Sequence, residues 1–156
     1  MSIRCYIPTT LTALGAGLGT AHAVAPDARG RDAGGDELEA QEFDALCIAA
    51  ALAATQSFEA ASAAGSDSPS PRAVVAYDAP DSSPAEELTT GFEVLALTGV
   101  DMTSIASIHL DETEAWDEAV DIVARQGHEE AEDHLGDSDL LWYDVSELPE
   151  LLRTRE

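Results

Sequence analysis

Polar and apolar residues alternate from the start of the chain. Ile3-Arg4-Cys5-Tyr6-Ile7 predicts a strand with Ile3, Cys5 and Ile7 on one face and Arg4 and Tyr6 on the other. Pro8 ends it, and Thr9 or Thr10 can cap a short helix carrying Leu11, Leu14 and Leu18. Thr20 to Ala25 reads as a small-residue strand closed by Pro26, and Asp27 to Gly35 lacks periodicity and reads as a loop. From Asp36 the period becomes helical: Phe43, Leu46, Cys47, Ala50, Ala54, Phe58 and Ala61 share a stripe that Gly65 ends. The alanines between Ala45 and Ala64 favour the helix and let it approach a sheet closely.

After a Ser/Pro linker, Arg72 to Tyr77 is almost continuously apolar, as in a central strand. Asp78 to Gly91 is a polar loop, and Phe92 to Leu97 is the next strand. Asp101 caps one turn through Met102 and Ile105, and Ala106 to Leu110 is another strand with His109 opposite in facing to Ile108. Asp111-Glu112-Thr113-Glu114 opens a helix whose stripe is Trp116, Ala119, Val120 and Val123, ended by Gly127. Residues 128–139 read as an acidic polar segment. Leu140 to Val145 is then a last strand, with Ser146 capping a helix that carries Leu148, Leu151 and Leu152. Trp142 and Tyr143, an aromatic pair among leucines, read as a plug that closes the core.

These elements predict one α+β domain over residues 1–156: a mixed or antiparallel sheet of about six strands, two main helices and short terminal helices. Flexible loops are expected around 27–35, 65–71, 79–90 and 128–138.

Composition sharpens this picture. The net charge is −24, with seven arginines and no lysine against 31 acids. Such a surface opposes direct contact with nucleic acid or anionic membrane. The same acidity admits a second possibility, a nucleic-acid mimic that binds a basic partner protein, although base composition of the coding sequence explains it more simply. Arg4, Leu11 to Leu18 and Ala21-His22-Ala23 imitate a signal peptide, but Pro8, three threonines and three glycines make the stretch from Cys5 to Gly19 too polar. No run of eighteen apolar residues predicts a membrane span. Cys5 and Cys47 have no metal-type spacing and read as buried free thiols of a cytoplasmic protein, with a disulfide as the alternative if the chain is secreted.

Candidate chemistry is sparse. His22, His109, His128 and His134 make no HxH or HExxH pattern. A metal-dependent hydrolase would have to recruit His109, His128 or His134 with nearby acids, and a solvated acidic turn accounts for the last two more economically. There is no GxSxG elbow, and Gly15, Gly17 and Gly19 are not a phosphate loop. No catalytic residue and no cofactor is therefore assigned. What remains is a binding or accessory role toward an unidentified protein partner, with Trp142, Tyr143 and His134 as the candidate surface. The oligomeric state is left open.

The opening Ile3-Arg4-Cys5-Tyr6-Ile7-Pro8-Thr9-Thr10-Leu11 resembles the MRVYIPxTL start of a family of small, uncharacterised actinobacterial proteins. Ala21-His22-Ala23-Val24, Arg72-Ala73-Val74-Val75 and Ile108-His109-Leu110-Asp111 resemble it as well, as do Leu140-Leu141-Trp142-Tyr143 and Glu147-Leu148-Pro149. Two places depart from that pattern. Asp27 to Asp36 is Gly-rich where the family is more aromatic, and Leu135 to Asp139 separates His134 from the leucines. The resemblance implies a cytoplasmic α+β domain with no assigned activity, and it carries over no catalytic residues.

Overall fold

A computed structural model describes residues 2–155. It is an α+β domain built on one open antiparallel sheet of seven strands, in the order β4-β5-β2-β1-β3-β6-β7. The strands are β1 Ser2–Thr10, β2 Ala21–Pro26, β3 Arg72–Pro80, β4 Ala85–Thr89, β5 Phe92–Leu97, β6 Ile105–Leu110 and β7 Leu141–Tyr143. The helices are α1 Leu11–Ala16, α2 Ala28–Ala33, α3 Gly35–Ala64, α4 Thr113–Gln126, α5 His128–Gly136 and α6 Leu148–Arg155. The β1–β3 ladder is the spine, running from Ser2 opposite Pro80 to Thr10 opposite Arg72.

Alternation along these strands builds two different faces. Ile3, Cys5 and Ile7 join Val75, Tyr77, Ile108 and others under α1 and α6, where Leu11, Leu14 and Leu151 close the layer. Tyr6, Val24, Val74 and Ala76 face the other way and meet Ala45, Ala49, Ala50 and Ala53 of α3. Alanine at each contact lets the helix backbone lie close over the central strands. By length and composition α3 would suffice to cross a bilayer, although the sequence contains no uninterrupted apolar run of that length. Its buried alanine stripe instead packs on the sheet. Farther along α3, Ala54 and Phe58 meet Trp116, Ala131 and Leu135 from α4 and α5. The Phe58 and Trp116 rings stack at 5.4 Å, worth roughly 1 kcal/mol beyond their burial.

Several expectations need correction. Residues 27–35 are not a loop: Asp27 accepts from the Gly30 amide at 3.0 Å and starts α2. Three glycines hid that helix. A Cβ at Gly30 would meet the end of the Gln41 side chain, which would have to turn aside, and Gly34 and Gly35 take φ 66° and 57°, a region that favours glycine. The 79–90 segment contains β4, which adds the seventh strand as a solvent-exposed hairpin edge. The acidic 128–138 segment is mostly α5, whose Glu129 and Glu130 suit the positive helix end while Ala131 and Leu135 are buried. The 65–71 connection remains irregular, and Gly65 ends α3 in the left-handed conformation.

The last strand also differs. It is only Leu141–Tyr143, and Asp144 rather than Ser146 caps the next turn, Val145–Glu147, in a capping box with Glu147. Trp142 is not a core plug but 62% exposed, because β7 is the sheet edge and α3 packs over β1, β2 and β3. Phe43 at the head of α3 is likewise 61% exposed, and Cys47 is exposed rather than buried.

Candidate functional site

The organising contact is an ion pair that strand register creates. Ala73 pairs with Leu110, and Arg72 and Asp111 stand one step beyond that pair. Arg72 Nε donates to Asp111 Oδ2 at 2.7 Å and Nη2 to Oδ1 at 2.8 Å, a bidentate fork. Both residues are only 3% exposed. A guanidinium that deep must satisfy its other N–H groups. Nη1 donates to the Ala50 carbonyl at 3.0 Å, and Nη2 also donates to the Leu135 carbonyl at 3.1 Å. One arginine thus ties β3, β6, α3 and the C-terminal end of α5 together, with its positive charge at the negative end of that helix.

Arg72 forms part of the floor of a groove of about 380 Å³. One wall is Phe43, Leu46, Cys47, Ala50 and Ala51 of α3, at the spacing of one helix face, with the buried Ala50 at its edge against the sheet. The other wall is Glu132, Leu135 and Gly136 of α5, then Ser138, Asp139 and Leu140 on the way to β7. The stripe that α4 and α5 cover at Ala54 and Phe58 is left open at Phe43 and Leu46. Glu132 is held in place by the Thr55 hydroxyl, which donates to its Oε1. Burial raises the Cys47 thiol pKa, and the Asp44 and Asp139 carboxylates push the same way while Arg72 opposes them. Because Asp111 neutralises Arg72, the groove is apolar inside with acids at its margin.

The residues singled out from sequence fall in different places. Trp142 lies opposite His109, which lies opposite Val74, so both aromatic rings belong to the α3 side of the sheet. Tyr143 points to the other side, where its hydroxyl accepts from Arg155 at 2.6 Å and its ring lies under that guanidinium. Trp142 and Tyr143 therefore do not form one surface. His134 turns toward α4, 3.2 Å from Glu118. His128 sits beside the Phe58 ring at a second cleft, lined also by Val120 and Val123. Among the described residues, no group of three or more His, Cys, Asp or Glu is placed to hold a metal ion.

One pair has the look of a dyad: Ser107 Oγ lies 2.9 Å from His109 Nε2. Burial lowers the His109 pKa and favours a neutral ring that accepts the hydroxyl proton. Ser107 is only 5% exposed, and its hydroxyl is turned onto the His109 ring. The pair satisfies two polar groups on one strand.

Sequence reasoning missed Arg72 and Asp111 as partners. The signal was present: an arginine directly before one apolar strand and an aspartate directly after another. Antiparallel pairing of those two strands brings the charges together at one end.

The sequence model of a family of unknown function, DUF6912, matches residues 3–152. No curated protein and no solved structure matches the chain.

Proposed function

We propose, since the chain belongs to the DUF6912 family of unknown function, a role read from its own geometry: a non-catalytic binding or accessory domain whose binding site is the groove between α3 and α5. Support comes from one observation above the others. The apolar stripe of α3 is covered over half its length and left open over the other half, in a groove of about 380 Å³ with the Arg72–Asp111 pair beneath it. That volume falls in the range of ordinary ligand sites, which combine apolar walls with a few fixed polar groups. Exposed aromatics beside such a groove are common anchors for partners. The floor is rigid because Arg72 is bonded to β6, α3 and α5 at once. We also place the protein in the cytoplasm, in keeping with two free thiols, one of them exposed.

A neutral apolar dye tests this. Nile red is expected to brighten and shift to the blue with saturable stoichiometry on the native chain. Ala51→Trp puts an indole into the groove from an exposed helix position and is expected to abolish the signal while the melting transition stays. An equal signal from both proteins would remove the groove as the site.

A further inference from the structure

The open part of the α3 stripe runs from Phe43 to Ala51, about two helical turns. Its spacing is that of a helix face waiting for a second helix: Phe43, Leu46, Cys47 and Ala50. Farther along the same stripe, Ala54 and Phe58 already receive α4 and α5 in this way. The facing wall ends in Leu140, and Trp142 stands exposed beyond it on the same side of the sheet.

Charge narrows the occupant. Glu132 and Asp139 line the groove. Among the described lining residues the one cation, Arg72, is paired with Asp111. A second copy of this chain would bring another −24 to the contact, and an anionic lipid surface would be repelled as well. Apolar walls with an acidic margin complement a helix that is apolar on one face and basic at its edges.

We propose that the groove receives a basic amphipathic helix from a partner protein, seated on Phe43, Leu46 and Leu140 with its cations against Glu132 and Asp139. This deepens the binding role above and rests on it. The partner helix completes the α3 stripe as α5 completes its other half.

The test uses the full chain and a Leu/Lys peptide of helical periodicity, followed by fluorescence anisotropy. A peptide of the same composition with its periodicity scrambled serves as the first control. The pair Glu132→Gln and Asp139→Asn is compared with Glu86→Gln and Glu87→Gln on the remote β4 edge, which removes the same charge. The groove pair is expected to weaken binding about tenfold or more, since it faces the ligand directly. The β4 pair and thermal stability are expected to change little, and Ala51→Trp and the scrambled peptide are expected to bind far more weakly. Equal losses from both charge pairs would mean undirected attraction to an acidic surface and overturn the proposal. Octylammonium bound as tightly as the peptide would replace the helix with a small cation and overturn it too. If Nile red binds in the groove but the peptide does not, the helix proposal fails and the groove remains a site. If neither binds, both fail.

Discussion

Arg72 and Asp111 are brought together by strand register, one step past the Ala73–Leu110 pair, and meet in a bidentate contact at 2.7 and 2.8 Å. Removing one partner strands a buried charge, which costs about 3–5 kcal/mol. Arg72→Met is therefore expected to lower the melting temperature by roughly 10 °C in a domain of this size. It also leaves the Ala50 and Leu135 carbonyls without that donor. The double variant with Asp111→Leu is expected to recover part of the loss. A thermal melt of Arg72→Met that matches the wild type would refute the structural role.

His109 provides a pH-dependent contribution. Its folded-state pKa lies below the unfolded value because burial disfavours the charged ring. The unfolded chain then binds more protons, so the His109 contribution is intact above about 6.5 and is lost as pH falls below it. His109→Gln keeps a polar partner for Ser107 without titrating. The wild-type advantage in melting temperature over this variant is expected to shrink between pH 7.5 and 5. A difference that stays constant over that range would show that the ring does not titrate across folding.

The two thiols are expected to differ sharply in reactivity. Burial pushes Cys5 up to about 12, and its Sγ–H donates to the Tyr77 carbonyl at 3.5 Å. Cys47 is exposed and lines the groove, with its pKa raised by partial burial. Under native conditions DTNB is expected to titrate one thiol per chain, and two in denaturant. The Cys47→Ser variant is expected to show none before unfolding. Fast native labelling of Cys5 would contradict the core arrangement.

The chain after Asp139 closes one face of the sheet. Leu151 is buried there with Leu148 and Leu152 beside it, and Arg155 donates to the Asp111 carbonyl at 2.7 Å. Ending the chain at Asp139 would uncover Ile108 and Leu110 and remove β7. A cooperative melt is expected to disappear from the shortened chain. An unchanged transition would show that α6 and β7 are dispensable.

Much of the fold could be read from period alone. Ile3, Cys5 and Ile7 do share a face, and the facing of His109 follows from the same alternation. The antiparallel arrangement agrees with strands that follow each other without long helices between them. The family model matches nearly the whole chain, residues 3–152. α2 and α5 were hidden because glycine and acidic residues dominate their composition, while only short i,i+4 contacts such as Ala131 and Leu135 mark them. Trp142 and Phe43 were misplaced for a different reason. Periodicity assigns a face but does not show where a covering helix stops, and α3 packs chiefly on β1, β2 and β3 while β7 is the sheet edge. The groove lies where that coverage ends, so no single segment of sequence displays it.

The most direct test of the groove as a binding site is amide chemical-shift mapping on the full, isotope-labelled chain titrated with indole. Shifts are expected at residues 43–51 and 132–140, saturating together, and to vanish in Ala51→Trp. Shifts centred on the cleft beside Phe58 and His128, or none at millimolar indole, would contradict it.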